Sequence, residues 1–243
     1  GIVIGIAAII MMFSAGAGLK SLVLAQLESW GSDWIEVEIK VPSTAQASAE
    51  NGGGQAMGIS ITTLKEADGD AILKHPNISN VYAAALGQAI FVYQNEKDTV
   101  NLWGVNASFI DIDPGEVAVG RFFSDEEDKS LARVVVLGSK LKDTLFGADR
   151  EAIGQFIKIG RHNFRVIGVM ASKGAVMYID LDSMAYVPLR TLQQQIMSIN
   201  HVSFIIGKLR DMKQEKITAQ DITYLLRERH QIADPAKDDF AVV

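Results

Sequence analysis

Few residues in this sequence have the types and spacing that chemistry needs. Asp180 and Asp182 flank Leu181 and could share a face, as the paired carboxylates of a glycosidase do. No aromatic cluster lies beside them, so a solvated turn competes with that reading. Ser124-Asp125-Glu126-Glu127-Asp128 is the densest charge run. A calcium loop would alternate its oxygen ligands around a sharp glycine. This run is contiguous and led by serine, which suits an N-cap at Ser124 with Glu127 closing a capping box. Acids in a first turn also complement the helix dipole. The four histidines, His75, His162, His201 and His230, form no i, i+4 pair, and the sequence holds no cysteine. That combination argues against zinc and excludes thiol catalysis. Gly16-Ala17-Gly18-Leu19-Lys20-Ser21 lacks the adjacent Gly-Lys of a phosphate loop. No serine lies in G-x-S-x-G context. The sequons Asn77-Ile78-Ser79 and Asn106-Ala107-Ser108 are as many as chance could supply. No catalytic constellation emerges.

The elements that would carry such residues follow from hydrophobic periodicity. The 243 residues are 48% hydrophobic, enough for one large or two small domains with a core. Net charge is −6 and the pI is about 5.3, a balance unlike that of nucleic-acid binders. Mean hydropathy is +0.16, and the excess sits at the N-terminus. Residues 1–13 are wholly apolar, and the uncharged run extends to Leu19. As a helix it would reach about 28 Å, close to a bilayer's hydrocarbon core. Residues 1–19 therefore read as the end of a transmembrane helix. Ala15-Gly16-Ala17 resembles a signal-peptidase site, and a cleaved signal peptide is the rival reading. Leu19, Leu22, Val23, Leu27 and Trp30 continue at helical spacing, as a stalk would. From residue 14 to 40 there are two lysines and four acids, which places this flank outside the cytoplasm. The chain opens on Gly1 and stops in a strand pattern, so further sequence is expected on both sides.

Residues 34–41 alternate as a half-buried strand, and 43–58 form a small, polar loop whose Asn51, Gly52, Gly53 and Gly54 could be a partner-contact tip. A helix capped by Thr63 with Glu66 is expected to end before Pro76. Strands follow at 81–85, 89–94 and 99–105, the last two joined by a turn at 95–98. Further strands are expected at 133–137, 156–159, 164–170, 185–188, 201–208 and 239–243. Helices are expected at 139–145, 189–196 and 218–229, the last capped by Thr218 with Asp221. There is no βα repeat, so the class is α+β. The β-α-β ends, 34–85 and 201–243, look like halves of a split unit. The division is 1–19 membrane helix, 20–106 and 200–243 the two parts of one subdomain, and 107–199 an inserted mixed subdomain.

An ordered series of words adds a family signal. Gly120-Arg121-Phe122-Phe123, Arg133 to Gly138, Leu145-Phe146-Gly147, Ile153-Gly154-Gln155, Ile157 to Gly160 and Phe164 to Val169 occur in sequence. Tyr186-Val187-Pro188, Arg229-His230 and Asp238-Asp239-Phe240 complete it. Their order and spacing resemble the extracytoplasmic domain of MacB-like ABC transporter permeases, the group that includes lipoprotein-releasing and FtsX-type permeases. The resemblance implies a porter-like split subdomain interrupted by a second one, lying between the first and second membrane helices. It implies the bacterial inner membrane, with this domain on its periplasmic or extracellular side. It also implies a second permease copy, a cytoplasmic ABC ATPase domain or subunit, and in efflux pumps a periplasmic adaptor. No cofactor belongs to this chain, because ATP would be used by the ATPase. Two readings from other classes stand beside it: a secreted binding protein with a cleaved signal peptide, and a secreted hydrolase using Asp180 or Asp182.

Overall fold

The computed structural model describes residues 33–40, 61–113, 115–176 and 179–243. The expected membrane helix, the stalk residues Leu19, Leu22, Val23, Leu27 and Trp30, and the loop residues Asn51, Gly52, Gly53 and Gly54 lie outside the described residues. Among the described residues no helix is long and apolar enough to cross a membrane.

In chain order the elements are β1 (Trp34–Ile39), α1 (Glu66–Ile72), β2 (Ile78–Tyr93), β3 (Glu96–Val105), α2 (Phe109–Ile112), β4 (Val117–Gly120) and α3 (Asp125–Lys129). Then come β5 (Val134–Leu137), α4 (Ser139–Phe146), β6 (Phe156–Ile159), β7 (His162–Met170), β8 (Ala175–Val176), β9 (Ile179–Asp180) and β10 (Ala185–Pro188). The chain finishes with α5 (Leu189–Thr191), which runs into a π-helical turn at Leu192–Met197, then β11 (Phe204–Leu209), α6 (Glu215–His230) and β12 (Phe240–Val242). This mixture is the α+β class that the absence of a βα repeat implies.

The main sheet runs β12-β1-β11-β2-β3-β10-β5-β7-β4, with β6 bridging β2 and β7. Only β10 with β3 and β5 with β7 are parallel. Because β6 pairs both β2 and β7, the strands β2, β3, β10, β5, β7 and β6 close into a ring. Closure covers strand edges wherever two ring strands pair. Phe91, Phe164, Ile157 and Ile159 are essentially inaccessible in the ring's core, and Leu141, Leu145 and Phe146 of α4 pack against them.

β2 holds the architecture together. Over Ile78–Ala84 it pairs with β11; over Phe91–Val92 it pairs with β6; on its other side β3 follows it from Ala84 to Tyr93. One 16-residue strand thus replaces the two expected at 81–85 and 89–94. The continuous β3 ladder carries the strand through Gly87, where a side chain would collide with Met197. The turn is two residues, Gln94-Asn95, not four, with Gln94 left-handed at φ 53°. Likewise β6 and β7 are joined by Gly160-Arg161 alone, since Ile159 pairs with His162.

β1 shows the period-2 logic plainly. Ile35 and Val37 point into the core with Leu64, Ile72, Ile205, Ile222, Leu226 and Phe240, on the face that α1 and α6 cover. Trp34, Glu36 and Glu38 point the other way, toward an aromatic layer of Tyr82, Trp103, Phe109, Tyr186 and Phe204. Tyr82 meets Phe109 edge-on at 5.2 Å and Trp103 meets Phe204 at 5.8 Å. Two caps differ from expectation. α1 begins at Glu66, and the carboxylate accepting the Lys65 N–H at 2.8 Å is that of Asp68, so the box lies two residues beyond Thr63 and Glu66. α6 begins at Glu215, so Thr218 is not its cap; it is buried within the helix and accepts from Asn77 Nδ2 at 2.9 Å.

Candidate functional site

The residues singled out for chemistry resolve into structural roles. Ser124 does cap α3: its N–H donates to Glu127 Oε2 at 3.0 Å, and Arg121 clasps the same carboxylate with two bonds of 2.7 Å. Asp180 caps the 3-10 turn at Leu181–Ser183 and pairs with Lys140 at 2.7 Å. Asp182 accepts from Ser172 Oγ at 2.6 Å and from the Lys173 and Gly174 N–H groups at 2.8 and 3.0 Å. The Lys140 hydrogen bond holds the Asp180 carboxyl below its ordinary range. Burial works to raise that of Asp182, but the three donors outweigh it and lower it too. A glycosidase needs one carboxyl held protonated, and here both are driven toward the anion. Asp113 accepts the Gly115 N–H at 2.8 Å, the turn chemistry its spacing implies. Among the described residues no group of three His, Asp or Glu is placed to hold a metal ion.

What the fold does assemble is a root where the chain arrives and leaves. β1 and β12 lie antiparallel, and Glu36 and Val243 exchange both backbone hydrogen bonds at 2.9 Å. Just behind this pair, His230 at the end of α6 sits between Asp239 (Nδ1 at 2.9 Å) and Asp68 on α1 (Nε2 at 3.3 Å). Arg229 adds a 2.7 Å bond to Asp68, and Arg227 grips Asp238 with two bonds of 2.9 and 2.7 Å. The His230 side chain is 7% exposed and that of Asp68 4%. The two carboxylates, Asp239 first, push the imidazole up to about 9, so at neutral pH it is an imidazolium. Burial opposes ionisation of Asp68 and Asp239, yet hydrogen bonds together outweigh it and lower both: those from His230, Arg229 and the Lys65 N–H at Asp68, and those from His230 and Thr63 at Asp239. In the sequence His230 stands as one of four histidines without an i, i+4 partner and as part of a family word. Its partner Asp68 lies 162 positions away, and no local pattern announces the pair.

A second joint ties the early part of the chain to the middle. Glu66 on α1 pairs with Arg190 at 3.2 Å, and Asn106 donates to both Glu66 and Asp128 at 3.2 and 3.1 Å. Asp128, 4% exposed, also accepts the Arg190 N–H at 2.9 Å. On the aromatic side of β1, burial and the neighbouring Glu38 push the Glu36 carboxyl up to about 7. These groups bind segments together.

Residues 1–225 match the model of the MacB-like periplasmic core domain. The macrolide export ATP-binding/permease protein MacB of Chlorobaculum tepidum is 32% identical over 248 residues, covering 100% of this chain and 36% of the relative. The pyoverdine export ATP-binding/permease protein PvdT of Pseudomonas entomophila is 31% identical over 241 residues, covering 99% of this chain and 34% of the relative. The chain thus spans about a third of the length of these relatives. Its fold is similar to the periplasmic region of MacB from Actinobacillus actinomycetemcomitans, with a TM-score of 0.73 at 22% identity over 89% of this chain and 91% of that one. It is also similar to the extracellular domain of the transporter YknZ from Gram-positive bacteria, with a TM-score of 0.67 at 24% identity over 86% and 99%. With its words, its fold and its length accounted for in one comparison after another, this chain belongs to the MacB-like periplasmic core domain family of ABC transporter permeases.

Proposed function

We propose that this domain stands outside the inner membrane and relays motion, driven by ATP hydrolysis in another domain or subunit, to an extracytoplasmic substrate or adaptor. The observation that carries the reading is the root. The incoming strand β1 and the outgoing strand β12 are hydrogen-bonded side by side, and a buried ion cluster fastens them to α1 and α6. A displacement applied to either chain end therefore reaches a rigid sheet. In this reading Leu19, Leu22, Val23, Leu27 and Trp30 form the arm that feeds β1, and two copies of the permease work together. The export relatives carry both ATP-binding and permease functions in their names, which supports an ABC ATPase as the power source. The domain's own share is mechanical: it binds no nucleotide and performs no bond chemistry.

The sequence is free of cysteine, which makes the location testable. With Cys introduced at Glu96, the exposed first residue of β3, a membrane-impermeant maleimide applied to intact cells with a permeabilised outer membrane is expected to label a protein retained in the membrane fraction. Labelling confined to soluble periplasm or medium would support a cleaved, secreted protein. Labelling only after the inner membrane is broken would overturn the reading.

A further inference from the structure

We infer that the bare edge of β2 between β11 and β6 is a docking slot for an extended peptide of a partner protein, one carrying an acidic side chain beside alternating apolar residues. This goes beyond the relay reading and does not depend on it.

The argument starts from the backbone. β2 changes neighbours along one edge: β11 reaches only as far as Ala84, and β6 begins only at Phe91. The even-numbered residues of β2 turn their N–H and C=O groups to this edge, because Ala84 accepts from the Ser203 N–H and Ile90 from the Gly160 N–H. The Leu86 N–H is held by Ser203 Oγ at 3.2 Å. The Leu86 carbonyl, both backbone groups of Gln88 and the Ile90 N–H then have no strand opposite them among the described residues. From Leu86 to Ile90 the gap is about 13 Å long, the span of a five-residue strand. Natural sheets guard such edges by keeping them short or bulged. β12 has three residues, and β4 has four with an irregular register, so both obey that rule. The β2 gap has an unbroken register with β3 and lies within a 16-residue strand, the longest among the described residues.

Side chains supply the rest. Leu86 and Ile90 are 45% and 44% exposed on the outward face, large apolar groups beside unpaired backbone. The open notch here has a volume of about 520 Å³, and Ile196 of the π-helical turn also lines it. At its ring-side end Lys97 and Lys158 stand either side of Val92 on the same face, since each is its cross-strand partner. Neither lysine makes an ion pair among the described residues. An added strand would pair its backbone with Gln88, set apolar side chains beside Leu86 and Ile90, and place a carboxylate at the two lysines.

Hydrogen exchange on the full-length protein in nanodiscs tests this, with the synthetic peptide acetyl-Glu-Val-Thr-Val-Thr-amide as the probe. The segment containing the Gln88 and Ile90 amides is expected to exchange fast when free and to be protected by millimolar peptide. Replacing Glu by Lys in the peptide, or N-methylating alternate amides, is expected to remove the protection. Lys97→Glu with Lys158→Glu, both on the surface, is expected to weaken binding about fivefold. Slow exchange of these amides without peptide would show the edge already covered and overturn the proposal. Absence of protection by the acidic peptide, or equal protection by the basic one, would overturn it as well.

Discussion

Replacing Gly120 or Gly168 with alanine is expected to lower stability by about 3 kcal/mol or more, among the largest effects of any single methyl added to this domain. The two glycines face each other across the β4–β7 pair. A Cβ on Gly120 would fall within the contact shell of the Ile167 carbonyl oxygen, and one on Gly168 within that of the Arg121 carbonyl. Both obstacles are backbone, already engaged in the sheet's close approach through the Arg121 N–H to Ile167 O bond of 3.0 Å. They cannot swing aside as a flexible side chain can. Gly120 carries a second penalty, because its φ of +81° is strained for any side chain. Gly147 provides the contrast: open space surrounds it, so alanine there meets only the backbone strain of φ +83° and ψ 158° and is expected to cost about 2 kcal/mol. Urea unfolding of the three variants checks the order. A Gly168→Ala variant within about 0.5 kcal/mol of the parent would mean that β4 does not approach β7 as described.

His230→Gln is expected to cost about 3 kcal/mol at neutral pH, because it strips the cation from two buried carboxylates. The pH profile identifies the cause. Folding raises the imidazole from its ordinary 6.5 to about 9, so its contribution is complete below about pH 6.5 and is lost as pH rises through 9. Asp68 and Asp239 are lowered from 3.8, so their part is present above about pH 4 and lost on acidification. Glu36 acts in a different window. Its carboxyl is raised from 4.5 to about 7, so the folded state prefers it neutral, and a penalty grows between those values. Stability of the parent is therefore expected to be greatest near pH 4.5–5 and to decline in two steps toward alkaline pH. His230→Gln should abolish the upper step, and Glu36→Gln the lower. If His230→Gln left the decline between pH 6.5 and 9 intact, the imidazolium would not be what fastens α6 to α1.

How much of this was legible in the sequence depends on the range of the interaction. β1 was readable because Ile35 and Val37 alternate with Trp34, Glu36 and Glu38, and period 2 is a local property. The Ser124–Glu127 box was readable for the same reason. The words around Gly120 and Gly168 were visible as family markers, but their physical reason was not, since it needs the two strands side by side. The strands expected at 81–85 and 89–94 are one because ten residues of β3 pair across them and the stretch between, an interaction that no local pattern shows. The Thr218 cap was misplaced because its signature resembles any Ser/Thr-x-x-acid stretch, and the helix had begun three residues earlier at Glu215. The root is the clearest limit. Asp68 lies on α1, His230 ends α6 and Asp239 immediately precedes β12, and the pairing of β1 with β12 and the packing of α6 on α1 bring them together.

In the proposed relay the domain moves as one body when ATP is turned over in another domain or subunit. Pulsed dipolar spectroscopy on the full-length protein would follow this, with spin labels on cysteines introduced at Glu96 and, in a second variant, at both Glu96 and Glu228. The distance between the Glu96 labels of two copies is expected to shift when nucleotide is trapped with vanadate. The separation of Glu96 and Glu228 within one copy is expected to stay constant. A distance between copies unchanged by trapping, in a preparation that still hydrolyses ATP, would contradict the proposed relay.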